Sequence, residues 1–300
     1  MNKFIELFNR NVKLFFKDKG LFFTSLITPL ILLVLYATFL SNVFKSTFTS
    51  IIPETLNVPE KVINGLAGGQ LMSSLLAVSC VTVSFCSNML MVQDKISGAR
   101  KDLLMTGVSK STMSISYYLS TFFVTLIIAL VATLACFIYL IFVGWYITFV
   151  DCILILLDVI ILTMFGTVLS SIVNFFLSSQ GQVSAVGSIV SSMYGFISGA
   201  YMPIASFGVG LQKVLTFLPS TYGTSLIRNH CMRGAINELS KYGVNEQFQN
   251  IIMDSIDCNV YFFDNKVSIV VMYLIMIFVI LLLAIIYVLI NKIKLKKVNK

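Results

Sequence analysis

Charge is what this chain has least of. Asp, Glu, Lys and Arg make up 11% of its 300 residues against 57% hydrophobic ones, and the mean hydropathy is +0.92. A soluble core inside a charged shell cannot be built from that ratio, so composition excludes a water-soluble domain and leaves a protein that crosses a membrane repeatedly. Histidine occurs once, at His230, which leaves neither a metal site nor a catalytic triad to assemble around it. The six cysteines are scattered without metal-ligand spacing, and Cys80, Cys86, Cys136 and Cys152 sit in or beside apolar runs, where thiols act as small hydrophobes. A Gly-x-x-x-x-Gly-Lys-Ser/Thr phosphate loop is also missing, so ATP is not bound by that route and no enzyme chemistry is expected. The first apolar run is too long for a cleavable leader.

What is present begins with an amphipathic stretch. Over residues 3–17, Phe4, Ile5, Phe8, Val12, Phe15 and Phe16 share one helical face, while Lys3, Glu6, Arg10, Lys13 and Lys17 share the other. Five bases ahead of a long apolar run make this an interfacial helix, assigned to residues 1–20. Apolar spans are expected at 21–44, with Pro29 near one end, then at 71–92, 113–143, 152–177, 182–206 and 267–290. Residues 45–69, with Pro53 and Pro59, read as an irregular external loop. Trp145 and Tyr146 mark a membrane interface between the third and fourth spans. Residues 207–266 read as an external segment containing Cys231 and Cys258; free thiols are the preferred reading there and a disulfide stays open.

Two spans carry stripes of small residues at helical spacing. Ser73, Ala77, Cys80, Ser84 and Ser87 mark the second span, and Ser188, Ser191, Ser192, Gly195 and Gly199 mark the fifth. Small residues let helices approach closely, and a continuous stripe also suits the wall of a translocation path or a seam between two subunits. Asp158 is the one acid placed within hydrocarbon, a functional candidate by default; a partner hydrogen bond near the outer surface suits it at least as well as a proton or cation site, since no base lies at comparable depth.

Basic residues settle the topology. Of the 21 Lys and Arg, 14 fall in residues 1–20, 93–110 and 291–300, and an even six spans put these three segments on one side, the cytoplasm. The net charge of +8 is therefore explained by orientation and anionic lipid, and nucleic acid is not an expected partner. Residues Gln93–Lys110 hold six charges with Ile96, Leu103, Leu104 and Met105 between them, which suits a short surface helix showing one face to a partner. A solvated connector that only fixes topology is the plainer reading.

That run resembles the cytoplasmic signature of ABC-2 type transporter permeases, through Gln93, Asp94 and Lys95, then Gly98, Asp102, Leu103 and Leu104, and finally Thr106 to Lys110. It departs from the family in replacing Glu-Arg-Glu by Gln-Asp-Lys and in carrying Gly107 where Pro is frequent. A second signature is similar in Ser198, Gly199 and Pro203, then Leu211-Gln212, then Pro219, Thr221 and Tyr222 with Arg228. The resemblance implies an all-α membrane protein of six spans, one transmembrane domain over 1–300, with an amphipathic connecting helix, a cytoplasmic coupling helix between spans two and three, and a re-entrant helical pair before span six. It implies that Asp94, Lys95, Gly98, Arg100, Lys101, Asp102, Leu103 and Leu104 meet an ABC ATPase subunit, with ATP and Mg on that partner and no cofactor on this chain. A second permease copy or paralogue would complete the complex. The expected function is export of an amphipathic substrate, such as a drug, antibiotic or antimicrobial peptide, across a bacterial cell membrane. Ile, Lys, Asn and Phe usage points to a Gram-positive source. A teichoic acid, polysaccharide or lipid exporter is the alternative within the class, and a non-transporting scaffold or sensor the alternative outside it.

Overall fold

A computed structural model of the chain describes residues 3–263 and 265–298. Lys300, at the end of the basic tail, lies outside them. In chain order the helices are α1 (Lys3–Lys17), α2 (Lys19–Leu35), a π turn (Tyr36–Leu40), α3 (Ser41–Ile51), α4 (Glu60–Ser87), α5 (Met89–Ile96), α6 (Ala99–Met105), α7 (Lys110–Val143), α8 (Phe149–Phe176), α9 (Gln180–Ile197), α10 (Val209–Leu215), α11 (Pro219–Leu239), α12 (Glu246–Ser255) and α13 (Ile269–Val298). A two-residue antiparallel ribbon, β1 (Tyr261–Phe262) and β2 (Asn265–Lys266), leads into α13. Helices start where a side chain can accept from the free N–H groups of a first turn. Asp18 accepts from Leu21, Ser109 from Thr112, Ser179 from Gln182 and Asn245 from Phe248, and Thr148 with Asp151 forms a capping box.

Among the described residues, five helices are long and apolar enough to cross a membrane: Lys19–Ile51, Glu60–Ile96, Lys110–Val143, Phe149–Phe176 and Ile269–Asn291. The expected fifth span corresponds to α9, which ends at Ile197 and not near 206. Its two glutamines and four serines in 18 residues keep it out of that set.

The bundle is built around α4. Every residue from Gly65 to Phe85 is buried, against α2, α3, α7, α8, α9 and α11. This corrects two expectations. The external loop at 45–69 shrinks to residues 52–59, because Ser41, Phe44 and Phe48 bury one side of α3 against α4, and the glycines that looked like loop are close-packing points. A Cβ on Gly65 would fall 2.5 Å from the Tyr146 ring, and one on Gly69 2.8 Å from the Cys231 carbonyl oxygen. The stripe of Ser73, Ala77, Cys80, Ser84 and Ser87 is likewise buried within the chain, so these residues face neighbouring helices of the same subunit and not a path or seam outside it.

Residues 229–266 are not a polar external segment throughout. Helix α11 runs through the interior to Leu239, packed on α4, α8 and α13, and both Cys231 and Cys258 are buried free thiols. Pro219 occupies its first turn, where a missing N–H costs nothing. The Thr221 hydroxyl donates to the Leu215 carbonyl oxygen at 2.8 Å and the Tyr222 hydroxyl to that of Thr216 at 2.6 Å, so this motif closes the α10–α11 turn by filling acceptors that α10 leaves open.

The pillar is approached closely by Gly166 of α8, where a Cβ would lie 2.9 Å from the Val81 Cα and 3.0 Å from the Cys80 carbonyl oxygen. Backbone cannot yield as a flexible side chain does. Gly166→Ala should therefore cost about 1–3 kcal/mol, read as a fall in the unfolding temperature of the detergent-solubilised protein. Gly181→Ala on α9, with nothing within 4 Å of the new methyl, should leave that temperature unchanged.

Candidate functional site

Three polar clusters sit where an apolar bundle can least accommodate them, and each ties helices that are far apart in sequence. The first is at the α6 end. Asp94, near the end of α5, is buried and accepts from both Arg10 guanidinium nitrogens, at 2.6 and 2.9 Å, and from the Tyr117 hydroxyl. A carboxylate taken out of water needs this number of donors. The Arg10 guanidinium is held above its ordinary pKa chiefly by its hydrogen bond to Asp94, against the effect of its own partial burial. Lys3 adds hydrogen bonds to the carbonyl oxygens of Thr106 and Gly107, so α1 grips both sides of the α5–α6 elbow. That elbow turns at Gly98, whose φ of 87° is a left-handed conformation suited to glycine.

The residues expected to meet a partner therefore divide. Asp94 is turned inward, and Lys95 donates to the carbonyl oxygens of Phe175 and Leu177 at the end of α8, where the helix dipole favours a cation. Leu103 and Leu104 pack on a cluster formed by Leu7, Met91, Val108, Met113, Tyr117 and Phe175. Gly98 and Arg100 are half-buried, whereas Lys101 and Asp102 are exposed. Beside them Met105 is 83% exposed, an apolar side chain in water on a helix of seven residues. Sequence reading counted Met105 among the interleaved apolar residues without separating it from the leucines. Its signal is its position two after Leu103, which a helix turns to a different side.

The second cluster is centred on Arg228 of α11, which is fully buried. It donates to the carbonyl oxygens of Ile256 and, at 2.8 Å, Gly199, and lies 3.6 Å from Asp257. Asp257 in turn accepts from the Ile204 and Ala205 backbone N–H groups. Burial raises the pKa of the Asp257 carboxyl, and Arg228 and those two N–H groups oppose it. Its φ of 55° is uncommon for a non-glycine residue and is held by these contacts. Gly199 and Pro203 of the second signature thus belong to a joint between α9, α11 and α12. Arg228, nine residues after Pro219 in the second signature, was the signal for it.

The third cluster corrects the reading of Asp158. Its carboxylate is buried on α8, with His230 Nδ1 of α11 at 2.6 Å from Oδ2 and the Tyr273 hydroxyl of α13 donating to Oδ1. A titratable base does lie at its depth, because α11 carries His230 inside. Near the mouth of α8, Arg233 pairs with the buried Asp151. Among the described residues no group of three His, Cys, Asp or Glu is placed to hold a metal ion. On α9, Ser188 and Ser192 are exposed and Ser191 is half-buried, but Gly195 is buried, with any added Cβ falling 2.3 Å from the Tyr201 ring.

Removing Arg10 would leave Asp94 with Tyr117 as its remaining side-chain donor, so Arg10→Ala should destabilise the protein by about 2 kcal/mol, seen as a lower unfolding temperature. Arg10→Lys should recover only part of the loss, because an ammonium cannot reproduce the two-pronged contact. Lys101→Ala, on the exposed face, should stay within about 0.5 kcal/mol of the parent.

A family model described as ABC-2 type transporter matches residues 2–230. No curated protein and no solved structure matches the chain. The match covers well over half of the sequence, including the α5–α6 elbow, the pillar helix α4 and α11 as far as His230. The chain belongs to the ABC-2 type transporter family, as a membrane permease that serves transport and not catalysis, and that membership implies an ABC ATPase as its partner.

Proposed function

We propose that this permease is the membrane-spanning subunit of an ATP-driven exporter, with the exposed face of α6 as the docking surface for the ATPase. The observation that carries this reading is Met105, 83% exposed about one turn after the exposed Lys101 and Asp102 on a helix otherwise anchored to the bundle. A protruding apolar side chain ringed by charges is the usual form of an interface anchor. The concentration of Lys and Arg in the segments at this end supports a cytoplasmic placement, with α9 making the sixth crossing of the cell membrane and α10 with the start of α11 forming a re-entrant pair at the outer face. ATP and Mg2+ reside on the partner. Closure of the ATPases then moves α6, and the motion passes through Leu103 and Leu104 into α1 and α7, and through α5 into α4.

A second permease copy would sit on α9. Ser184, Ser188 and Ser192 are exposed there beside Ile189 and Met193, and hydroxyls facing another helix are better placed than hydroxyls facing lipid. An amphipathic substrate, such as a drug, an antibiotic or an antimicrobial peptide, suits a path bounded by such a mixed face.

The docking assignment is tested with Met105→Asp. Recovery of the ATPase with the purified permease should fall on the order of tenfold or more while the unfolding temperature holds. Undiminished recovery would remove α6 from the interface. The seam is tested by oxidative cross-linking. A cysteine at Ser188 should form a permease–permease disulfide in membranes, whereas one at Val131, 57% exposed on α7, should not; the reverse pattern would move the seam elsewhere.

A further inference from the structure

A cavity of about 260 Å3 opens at the end of the bundle opposite α6, between α10, the start of α11 and the segment joining α12 to β1. Lys213 and Asp254 both line it, and among the described residues no ion pair joins them. Asp254 is not adrift. Its Oδ1 accepts from Asn259 Nδ2 at 2.7 Å and from the Tyr261 hydroxyl at 3.0 Å, which fixes the carboxylate and leaves Oδ2 without a protein donor among the described residues. Asp257, the other acid of the wall among the described residues, is committed to Arg228 and to two backbone N–H groups. Lys213, at the end of α10, is exposed.

The rim of this cavity is apolar. Val209 is 67% exposed and Phe263 57%, both on the lining, and Val214 and Phe217 extend the same surface along α10. Phe217 packs edge-on against Phe262 and Phe263, with ring centroids 5.1 and 5.8 Å away. Large apolar and aromatic side chains left uncovered next to fixed charges are the arrangement found where a protein meets the headgroup region of a bilayer.

We propose that this cavity binds the headgroup of a phospholipid of the adjacent leaflet, one carrying a primary ammonium beside its phosphate. The ammonium donates to Asp254, the phosphate meets Lys213, and the acyl chains lie along Val209, Val214 and Phe217. The volume fits a headgroup and not a whole amphiphile, since pockets that enclose a drug-sized ligand run from roughly 300 to 1,000 Å3. A choline headgroup offers Asp254 no N–H donor. A glycerol headgroup carries no cation of its own, so it leaves the charge of Asp254 unanswered while Lys213 meets its phosphate. The site requires only that this end of the bundle lie at a membrane surface, so it stands apart from the docking of α6.

The test uses the full chain in nanodiscs of phosphatidylcholine with equal fractions of phosphatidylethanolamine and phosphatidylglycerol of matched acyl chains, with retained lipid counted by native mass spectrometry. Phosphatidylethanolamine should be retained over both others by roughly fivefold. Asp254→Asn, which keeps an acceptor for Tyr261, and Lys213→Gln should each bring the preference close to one. Equal retention of the three lipids by the unmodified chain overturns the proposal whether or not the variants fold, and so does a preference that survives both substitutions. Displacement of the lipid by an equal concentration of water-soluble glycerophosphoethanolamine would place the occupant in water and overturn it too. No ATPase is present, so none of these outcomes bears on the coupling surface.

Discussion

A helix enclosed on every side has no face left for lipid, and the rest of this bundle is arranged around the one helix in that position. Close approach to α4 requires a small residue on at least one side of a contact, which explains Gly65, Gly68 and Gly69 along it and Gly166 across from it. The same enclosure permits polar side chains that lipid would not. Thr82 and Ser84 return their hydroxyls to the carbonyl oxygens four residues earlier, and Asn88 donates to Ser170 and Ser171 of α8. Hydroxyls and amides in such a place hold helices in register, because each loses its partner if the helices slide.

The ends of the pillar differ in kind. At the α6 end, ionised groups bind the amphipathic α1 to the elbow, with Arg10 and Lys3 reaching residues on either side of Gly98. A force applied to the exposed side of α6 therefore meets a packed, hydrogen-bonded unit and not a free loop. At the other end Arg228 gathers carbonyl oxygens from two separate segments, at Gly199 and Ile256, and sets the turn before α10 through Asp257. Between them the Asp158, His230 and Tyr273 cluster fastens α8, α11 and α13. Breaking one member of such a buried set leaves the others unsatisfied, so these three joints fix the relative positions of helices that hydrophobic packing alone would leave free to rotate.

Much of this could be read from the residues in order. Apolar length determined the spans that became α2 with α3, α4, α7, α8 and α13, since backbone in hydrocarbon must satisfy its own hydrogen bonds and a helix does so locally. The charge pattern of residues 3–17 determined α1, and the polar island after Val92 determined the elbow and α6, because charges cannot remain in lipid. The tertiary structure alone decided which charges face a partner and which face inward. Asp94 and Asp102 look alike as letters, and what separates them is Arg10, 84 residues before Asp94. Asp158 lacked a base until α11 folded inward and brought His230 from 72 residues away. The stripe on α4 announced a distinct face through its period, but a period does not say what covers that face. Local rules act over one or two helical turns, whereas burial and pairing depend on neighbours supplied from anywhere in the chain, and for this protein those neighbours determine which residues are left exposed on α6.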